Sequence, residues 1–465
     1  MPSGPEHFVS DPAYLEELNR ARELLLTHRQ RWRVIYHYDG DGIASASCAL
    51  RSLERLAYPS QATALFGVES SRLDELLTAT RGPVLLVDTG STWLDRVARH
   101  PHPVVVLDHH KYPGAPRPPS LPEHVAFVNP LDWGVDGMSE LCAASLTWLF
   151  TVFIDPRNWD NAAWGLSGVI ADRQHQAGLH GLNARLIEEA VSRSLLERRI
   201  GIGLFGATLL EALTHSIDPF ARGLSGRPEA VEPFLRDLSI DASKNPLTLT
   251  PEEETRLVKA IAERLQSQGT RPEFVHGLRA ERWAVPSLGR DAEEISNLQN
   301  ACGRAGAPAI GLGLALGDTA SWNAAQRAER DWREGILLGL RRLEDHGTHL
   351  QGAIQWFESP EGPLAGTQAG LALTYFLDSR RPVFVFTRDG DRWRISGRGT
   401  LWLVSQGLDL SEVCREAAGT VGGEGGGHKV ASGATIPADT REEFLSHAEG
   451  MVGRQLGAAF AEAAV

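Results

Sequence analysis

The sequence contains little cysteine and little lysine. Its four cysteines, Cys48, Cys142, Cys302 and Cys414, are far apart and form no C-x-x-C pair. This argues against a disulfide framework and against a structural zinc site. Only four of the 46 basic residues are lysines, so arginine carries almost all of the positive charge. A protein without paired cysteines is typical of a reducing compartment, and we expect a cytoplasmic protein.

Long hydrophobic runs are also missing. The longest uncharged apolar stretch, residues 141–154, is well short of the roughly 20 residues that a membrane helix needs. The first 23 residues lack a basic segment followed by an apolar one, so they do not resemble a signal peptide. We therefore expect no contact with a membrane.

The charge balance is acidic, because 46 basic and 59 acidic residues give a net charge of −13. This excludes a general positive coat for nucleic acid but leaves local anion sites open. An apolar fraction of 42% and a charged fraction of 23% are those of a globular protein. The length of 465 residues predicts two or three domains of roughly 150 residues each.

Apolar runs alternate with helical patterns in the first half of the chain. RVIYH (33–37), PVLLVD (83–88) and PVVVLD (103–108) are continuous rather than alternating, which is typical of strands buried in a parallel sheet. Helical spacing over 14–30 and 43–56 completes an α/β pattern. The sequence thus predicts an N-terminal parallel-sheet domain with helices on both faces.

The second half has a different character. We predict a domain at 1–225, a linker at 226–252 and a smaller α/β domain with a mixed sheet at 253–465, with a helical insertion near 318–348. The predicted strands of this second domain cover 308–316, 350–357, 382–388 and 392–399. The number of subunits, one or two, is left open.

Acidic and histidine side chains follow the apolar runs of the first half. Taken singly, an Asp after a strand is more often a helix cap or a turn residue. Taken together at one sheet edge, such carboxylates would repel one another unless cations neutralised them. Carboxylates with imidazoles and no thiolate suit Mn²⁺ or Mg²⁺, and their number suits two ions that act on a phosphate ester. The residues are His37, Asp39, Asp41, Asp88, Asp108, His109, His110 and Asp172.

Four segments carry a family resemblance. HYDGD, VDTGS, LDHHKYPG and SGVIADRQ resemble, in order, the four motifs of the DHH phosphoesterase family, which includes RecJ-type exonucleases and dinucleotide phosphodiesterases. Tyr36 precedes His37, where the family usually has Ser or Thr. The patterns ADRQHQAGLHGLN and EEISNLQNACGRAGAPAIG look like the archaeal RecJ-like subgroup.

The resemblance implies roles for these residues. The first of two Mn²⁺ ions, with Mg²⁺ as the other option, would be bound by His37 and Asp39. The second would be bound by Asp41, His109 and Asp172, and Asp88 would bridge both. Asp108 would orient His109 or act just behind the metals, and His110 would stabilise charge or protonate the leaving oxygen. The catalytic set is thus His110, Asp108 and Asp88.

The glycine-rich run VGGEGGGHKVASG (421–433) suits either an anion-binding loop or an exposed turn. It is similar to the signature of the DHH-associated C-terminal domain, where such a run holds substrate opposite the metal site in an interdomain cleft. RISGRGT resembles the companion strand of that domain. The substrate-binding residues implied are His428, Gly425, Gly426, Gly427, Ser396, Arg398 and, next to Asp172, Arg173.

Three functions are compatible with these features. The first is a Mn²⁺-dependent phosphodiesterase or exonuclease that hydrolyses single-stranded DNA or RNA to 5′-mononucleotides by two-metal catalysis. The second is a phosphodiesterase for cyclic or linear dinucleotides, which shares the chemistry and differs in the length of the cleft. The third is an inactive DHH scaffold in replication or repair, which the presence of every expected ligand disfavours. The expected partner is single-stranded nucleic acid, an oligonucleotide or a dinucleotide.

Overall fold

The computed structural model describes residues 5–66, 70–116, 120–176, 178–360 and 362–462. The chain forms two compact units. Unit 1 comprises Met1–Arg199 and Glu281–Glu329, and unit 2 comprises Ile200–Ala280 and Arg330–Val465. This partition differs from the predicted boundaries. Residues 281–329, expected in the second domain, belong to unit 1, and the expected linker 226–252 lies within unit 2.

The strands, in chain order, are β1 Trp32–His37, β2 Ser60–Leu65, β3 Val84–Val87, β4 Val104–Leu107, β5 Val125–Val128, β6 Glu197–Ile202, β7 Arg279–Val285, β8 Arg290–Asp291, β9 His349–Gln351, β10 Ile354–Glu358, β11 Val383–Asp389, β12 Arg392–Arg398, β13 Glu424–Gly427 and β14 Ala431–Pro437.

The α-helices are α1 Pro12–Thr27, α2 Gly40–Arg55, α3 Ser70–Ala79, α4 Leu94–Val97, α5 Ala143–Ile154, α6 Ala162–Ala171, α7 Gly181–Ser192, α8 Leu209–Thr214, α9 Pro228–Asp237, α10 Pro251–Ser267, α11 Pro272–His276, α12 Ala292–Arg304, α13 Pro308–Ala315, α14 Thr319–His346, α15 Ala365–Tyr375, α16 Leu401–Ser405, α17 Leu410–Thr420 and α18 Arg441–Glu462. None of the helices in the described ranges is both long and apolar enough to cross a membrane.

Unit 1 is built on a five-stranded sheet of order β2-β1-β3-β4-β5, in which all neighbouring strands are parallel. Alternate residues of each strand enter two separate cores. Val34 and Leu85 pack with helices such as α1, α2 and α5, whereas Ile35 and Leu86 pack with α3 and α4. The predicted parallel sheet with helices on both faces is therefore confirmed.

The apolar run at 308–316 was predicted to be a strand, and this was wrong. It forms α13, with Pro308 at the first helical position, where a missing N–H costs nothing. Leu312 and Leu314 are buried in the core of unit 1. A short continuous apolar run does not distinguish a buried helix from a buried strand by its periodicity.

Unit 2 contains a six-stranded mixed sheet of order β13-β14-β12-β11-β10-β9. Its β10–β11 pair is parallel and its other neighbours are antiparallel, which confirms the predicted mixed sheet. The predicted strand 350–357 is divided into β9 and β10. Val383 and Val385 face one core, and Phe384 and Phe386 face the other.

The predicted linker contains an ordered helix. In α9, Val231 and Leu235 are fully buried and join the same core as Val383. Pro228 begins α9 just after Gly226, which has a positive φ of 75°, whereas Pro233 lies inside the helix. The residues near 318–348, predicted as a helical insertion in the second domain, form α14, whose first part up to Glu329 belongs to unit 1.

Candidate metal centre

The eight predicted acidic and histidine residues come together at the carboxyl edge of the unit 1 sheet. His37 is the last residue of β1, Asp88 follows β3, and Asp108 to His110 follow β4. In the order β2-β1-β3-β4-β5, the chain proceeds from β1 to β2 in one direction and from β3 to β5 in the other. Open α/β sheets bind ligands in the crevice at such a switch point, which here lies between β1 and β3. The topology thus explains why distant motifs meet.

Among the described residues, three groups of side chains have ligand atoms close enough to share a metal ion. In each group these atoms lie within 4.8 Å of one another. The groups are His37 with Asp39 and Asp88, Asp41 with His109 and Asp172, and Asp88 with His109 and His110. Because Asp88 and His109 each belong to two groups, the groups form one continuous cluster.

Asp88 lies at the centre of this cluster. Its Oδ2 is 3.6 Å from His37 Nδ1, and its Oδ1 is 3.4 Å from His109 Nε2. The residue is 3% exposed, and among the described residues Oδ1 has no hydrogen-bond donor. A buried carboxylate oxygen without a donor is costly unless a cation satisfies it. The residues therefore fit a divalent metal ion.

The backbone at Asp88 has a φ of 58°, in the left-handed region that few non-glycine residues adopt. Asp tolerates this region better than most residues. Strain of this kind is concentrated at functional sites, where the surrounding structure maintains it. Here it accompanies the turn from β3 into the segment that contains Gly90, whose φ is 113°.

Negative charge dominates the cluster. Burial raises the pKa of Asp41 well above its usual value, and the charges of Asp88, Asp172 and Asp39 raise it further. Burial likewise raises the pKa of Asp172, with a further contribution from Asp88. Each carboxylate makes it harder for the next one to ionise. A cation in this position would favour the ionised forms of Asp41 and Asp172.

The pKa of His37 is also raised, although burial acts on it in the opposite direction. Burial alone lowers its pKa, but hydrogen bonds and charge from Asp39 and Asp88 outweigh burial and raise the pKa to about 10. Asp39 begins α2 as its N-cap, accepting a hydrogen bond from the Gly42 N–H at 3.1 Å. Its Oδ2 lies 3.0 Å from His37 Nδ1. The imidazole is thus held against two carboxylates.

Asp41 is held by the start of α5, a helix to which the sequence assigned no role in the site. Its two carboxylate oxygens accept hydrogen bonds from the backbone N–H groups of Ala143 and Ala144, at 3.0 and 2.9 Å. These groups are the unsatisfied donors at the start of α5. The positive end of the helix therefore stabilises a carboxylate that is only 4% exposed. Asp41 Oδ2 lies 3.6 Å from His109 Nε2.

The ring of His109 is oriented by a backbone carbonyl. Its Nδ1 lies 2.6 Å from the Gly137 oxygen, so Nδ1 is the donor of this hydrogen bond and Nε2 is the nitrogen left to face a ligand. Nε2 is the atom that points towards Asp41 and Asp88. A ligand histidine whose second nitrogen donates to a carbonyl is the usual arrangement at metal sites. A glycine 28 residues away carries no sequence signal for this contact.

Asp108 contacts His110 rather than the His109 ring. It is 1% exposed and accepts four hydrogen bonds, three from the backbone N–H groups of Ser91, His109 and His110 and one from His110 Nδ1 at 2.8 Å. Burial raises the pKa of Asp108, but the hydrogen bond from His110 and the charges of the two histidines hold it below its usual range. Asp108 belongs to none of the three groups above, and it holds His109 through the backbone N–H rather than through the ring.

A buried amide links two of the candidate ligands. Gln174 donates from Nε2 to Asp172 Oδ2 at 2.7 Å and to the Gly137 oxygen at 2.8 Å, and it accepts from Asn183 Nδ2 at 2.6 Å. Gln174 is 5% exposed and Asn183 is fully buried. Neither was given a role from the sequence, although Gln174 lies within the fourth motif and both lie within the pattern ADRQHQAGLHGLN. The neighbouring Arg173 is exposed, with a φ of 60°.

The predicted substrate-binding residues of unit 2 lie on adjacent strands. The glycine run, expected as a loop, forms the edge strand β13, in which Gly426 pairs with Gly433 of β14. Ser396 of β12 pairs with the same Gly433 from the other side. The turn begins at His428, whose N–H donates to the Ala431 carbonyl at 2.8 Å. Because a neighbouring strand satisfies its backbone, the glycine run is extended.

Arg398 and His428 are close in register. Arg398 pairs with Ala431, the residue that the His428 N–H contacts. Burial lowers the pKa of the Arg398 guanidinium, and the side chain donates to the Gly397 carbonyl at 2.8 Å. The imidazole of His428 is exposed. The structure thus groups Ser396, Arg398 and the 425–428 segment at one end of the unit 2 sheet.

Comparison with known families identifies two domains. Residues 31–163 match the N-terminal domain model of the DHH family, and residues 369–454 match the DHHA1 domain model. A curated relative, the uncharacterized protein MJ0831 of Methanocaldococcus jannaschii, is 27% identical over 448 residues, which are 95% of this chain and 98% of that protein.

Solved structures support the same fold. A crystal structure of exonuclease RecJ bound to manganese has a TM-score of 0.57 and 19% identity, covering 94% of both chains. RecJ from Thermus thermophilus in complex with Mn²⁺ has a TM-score of 0.56 and 19% identity, and the match covers 96% of this chain and 55% of that one. CDC45 from Entamoeba histolytica has a TM-score of 0.63 and 10% identity, covering 97% and 99%. At these identities the similarity concerns the fold.

Proposed function

From the matches of residues 31–163 and 369–454 to the DHH and DHHA1 domain models and from the RecJ-like fold, we propose that this chain is a metal-dependent exonuclease of the DHH family. It would hydrolyse phosphodiester bonds of single-stranded DNA or RNA and release 5′-mononucleotides. The preferred ion would be Mn²⁺, with Mg²⁺ as the other option. The manganese bound in the two RecJ structures and the hard oxygen and imidazole donors of this site support that choice.

The observation that carries the proposal is the shared position of Asp88 between two groups of ligands. Its two oxygens face different histidines, His37 on one side and His109 on the other. This supports two ions, one with His37 and Asp39 and one with Asp41, His109 and Asp172, with Asp88 as the common ligand. Two divalent ions in such a site supply an activated water and neutralise the charge of the phosphoryl oxygens.

The chain's own residues supply the proton chemistry in this proposal. Asp108 holds Nδ1 of His110 at 2.8 Å, which leaves Nε2 as the nitrogen available to substrate. Roughly half of the His110 side chain is exposed, unlike the buried His109. The hydrogen bond and the charge of Asp108 raise the pKa of His110 to about 9, against a smaller effect of burial. We assign His110 the donation of a proton to the leaving oxygen.

Substrate contacts are assigned to the grouped residues of unit 2. Ser396, Arg398, His428 and the backbone of 425–427 would hold the phosphate or sugar. The extended glycine strand lies at the edge of the sheet, where one row of its backbone N–H groups faces away from β14, and arginine and serine side chains are phosphate ligands. Arg173, exposed beside Asp172, would contact phosphate near the metals.

The test is a hydrolysis assay of purified full-length protein. End-labelled DNA and RNA of about 2 to 30 nucleotides, together with cyclic dinucleotides, are incubated with Mn²⁺, Mg²⁺ or EDTA, and the products are resolved over time. We expect mononucleotides from single strands with a divalent ion and none with EDTA. Turnover limited to dinucleotides would replace the exonuclease by a dinucleotide phosphodiesterase. Inactivity on all substrates would favour the scaffold.

The matched variants are Asp88→Asn and Asp95→Asn. Asparagine keeps the shape of Asp88 and tolerates its positive φ, so the fold should be retained. Loss of the shared carboxylate is expected to lower turnover about 10²-fold or more, as for a group acting on the transition state. Asp95 is exposed on α4, is paired with Arg99 and serves as the charge control. Full activity of Asp88→Asn at saturating Mn²⁺ would exclude Asp88 from the ligands.

A further inference from the structure

Unit 2 contains a pocket that none of the motifs includes. It has a volume of about 480 Å³ and lies at the carboxyl end of the parallel pair β10–β11, where open α/β sheets bind ligands. Buried aromatic side chains, Phe357, Phe386 and Trp393, line it on one side. All of its lining residues belong to unit 2.

This pocket is distant from the glycine strand. Within the β11–β12 pair, Arg388 is opposite Trp393, whereas Val383 is opposite Arg398, the residue next to the 425–428 segment. Five residues of strand separate the two positions, which corresponds to about 17 Å. The pocket is therefore a second place on the same sheet.

The rim of the pocket is positively charged. Arg342 and Arg388 both line it, and within the described ranges neither has a carboxylate oxygen within 4 Å. The acidic lining residue Glu358 is already paired, since Arg441 donates to it at 2.5 Å. The whole chain has a net charge of −13, so these two guanidinium groups make the surface beside the cavity more positive than the chain average. Guanidinium groups bind phosphate in a planar, two-point geometry.

Flat aromatic surfaces lie next to these charges. The exposed His349 ring stacks on the buried Trp356 ring with centroids 4.1 Å apart and an interplanar angle of 20°. The Arg388 guanidinium lies over the Trp393 ring, 5.1 Å from its centroid. A fixed ring beside these two guanidinium groups combines a stacking platform with a phosphate clamp.

We propose that this pocket binds a nucleotide, with its phosphate held by Arg342 and Arg388 and its base stacked on His349. The nucleotide is either a free mononucleotide or one unit of a single strand, and the two sources have the same chemistry. The strand form rests on the proposed exonuclease function, whereas the free form does not.

Binding is measured on the full chain in EDTA, so that hydrolysis does not interfere. One arm follows the fluorescence anisotropy of a labelled oligothymidylate of about 12 nucleotides, and the other follows equilibrium dialysis of AMP and of ribose 5-phosphate. The variant is Arg342→Gln/Arg388→Gln. The control is Arg236→Gln/Arg415→Gln, which changes the net charge equally at exposed positions of unit 2 outside the pocket.

For a strand unit, oligonucleotide affinity falls about tenfold in the pocket variant relative to the control, and the salt dependence weakens by about 0.7 for each phosphate that is no longer neutralised. For a free nucleotide, AMP binds saturably, ribose 5-phosphate binds more weakly, and the pocket variant no longer binds AMP. Equal affinities of pocket variant and control for both ligands would overturn the proposal. Equal binding of AMP and ribose 5-phosphate, with unchanged oligonucleotide binding, would overturn the base contact.

The hydrolysis assay keeps this result separate from the proposed function. If the wild-type protein cleaves nothing but the pocket variant loses nucleotide binding, the pocket proposal stands and the exonuclease proposal is rejected. If the wild-type protein cleaves single strands and the pocket variant binds nucleotides as the control does, the exonuclease proposal stands and the pocket proposal is rejected.

Discussion

Gln174 is the residue whose contacts join two candidate metal ligands. Its amide N–H donates to Asp172 and to the Gly137 carbonyl that also accepts from His109. Replacing it by methionine keeps the volume but removes both donors. Such supporting contacts typically change metal affinity by about 10- to 100-fold. We expect Gln174→Met to weaken Mn²⁺ binding by that factor in calorimetric titration.

The control for this prediction is Gln176→Met, because Gln176 is an exposed neighbour with no side-chain contact to the cluster among those described. A purely structural role for Gln174 would lower the unfolding temperature of the metal-free protein without changing Mn²⁺ affinity. That result would contradict a positioning role. The direct readout is therefore the dissociation constant for the metal rather than the rate of hydrolysis.

At the scale of single residues, the sequence identified the candidate ligands but not the residues that position them. His37, Asp88 and His109 stand in short motifs that follow apolar runs, so local pattern and chemistry suffice to find them. Gly137 acts through a carbonyl 28 residues from His109, and Asn183 acts through an amide nine residues beyond Gln174. Such contacts depend on the packing of α5, α6 and α7 against the sheet, which no local pattern specifies.

The start of α2 is the element that brings Asp39 and Asp41 to the sheet edge. A Cβ on Gly42 would lie 2.0 Å from the His37 carbonyl oxygen, so α2 could not approach the end of β1 as it does. We expect Gly42→Ala to destabilise unit 1 by about 1–3 kcal/mol or more, the cost of overpacking a tight contact. Urea unfolding with a fluorescence readout measures the change.

Gly370 provides the matched control for this prediction. It is also a helical glycine, in α15, and a Cβ there would have no neighbour within 4 Å. Gly370→Ala should be neutral or stabilise by up to about 1 kcal/mol, because alanine favours the helix. Equal effects of the two substitutions would show that the close approach of α2 to β1 is unimportant.

Element types followed from the sequence where periodicity was unambiguous. The runs before Asp88 and Asp108 are β3 and β4, and the alternating RWRISGR is β12. The run at 308–316 was predicted to be a strand because its continuous apolar residues carry no helical periodicity, although Ala309 and Leu316 are exposed in the structure. The glycine run became a strand because β14 supplies hydrogen-bond partners, a tertiary effect that overrides the low strand propensity of glycine.

At the scale of the molecule, the acidic residues that give the net charge of −13 are unevenly distributed. Five carboxylates, Asp39, Asp41, Asp88, Asp108 and Asp172, belong to one constellation at the edge of one sheet. Their mutual repulsion opposes folding of unit 1 unless a cation is bound. The excess of acidic residues therefore reflects a candidate cation site as well as an acidic surface.

Metal binding should therefore be linked to the stability of unit 1. A ligand present at 100 times its dissociation constant stabilises the folded state by about 2.7 kcal/mol. For a unit of this size each kcal/mol raises the unfolding temperature by about 2–4 °C. We expect Mn²⁺ to raise the unfolding temperature of the wild-type protein by several degrees in scanning calorimetry, and EDTA to reverse the change.

Asp88→Asn separates this linkage from general salt effects, because its effect should change sign with the metal. In EDTA the variant lacks one repelling carboxylate and should unfold at the same temperature as the wild type or higher. In Mn²⁺ it lacks the shared ligand and should unfold at a lower temperature than the wild type. A Mn²⁺-induced rise as large in Asp88→Asn as in the wild type would mean that the ions stabilise the protein somewhere other than this cluster.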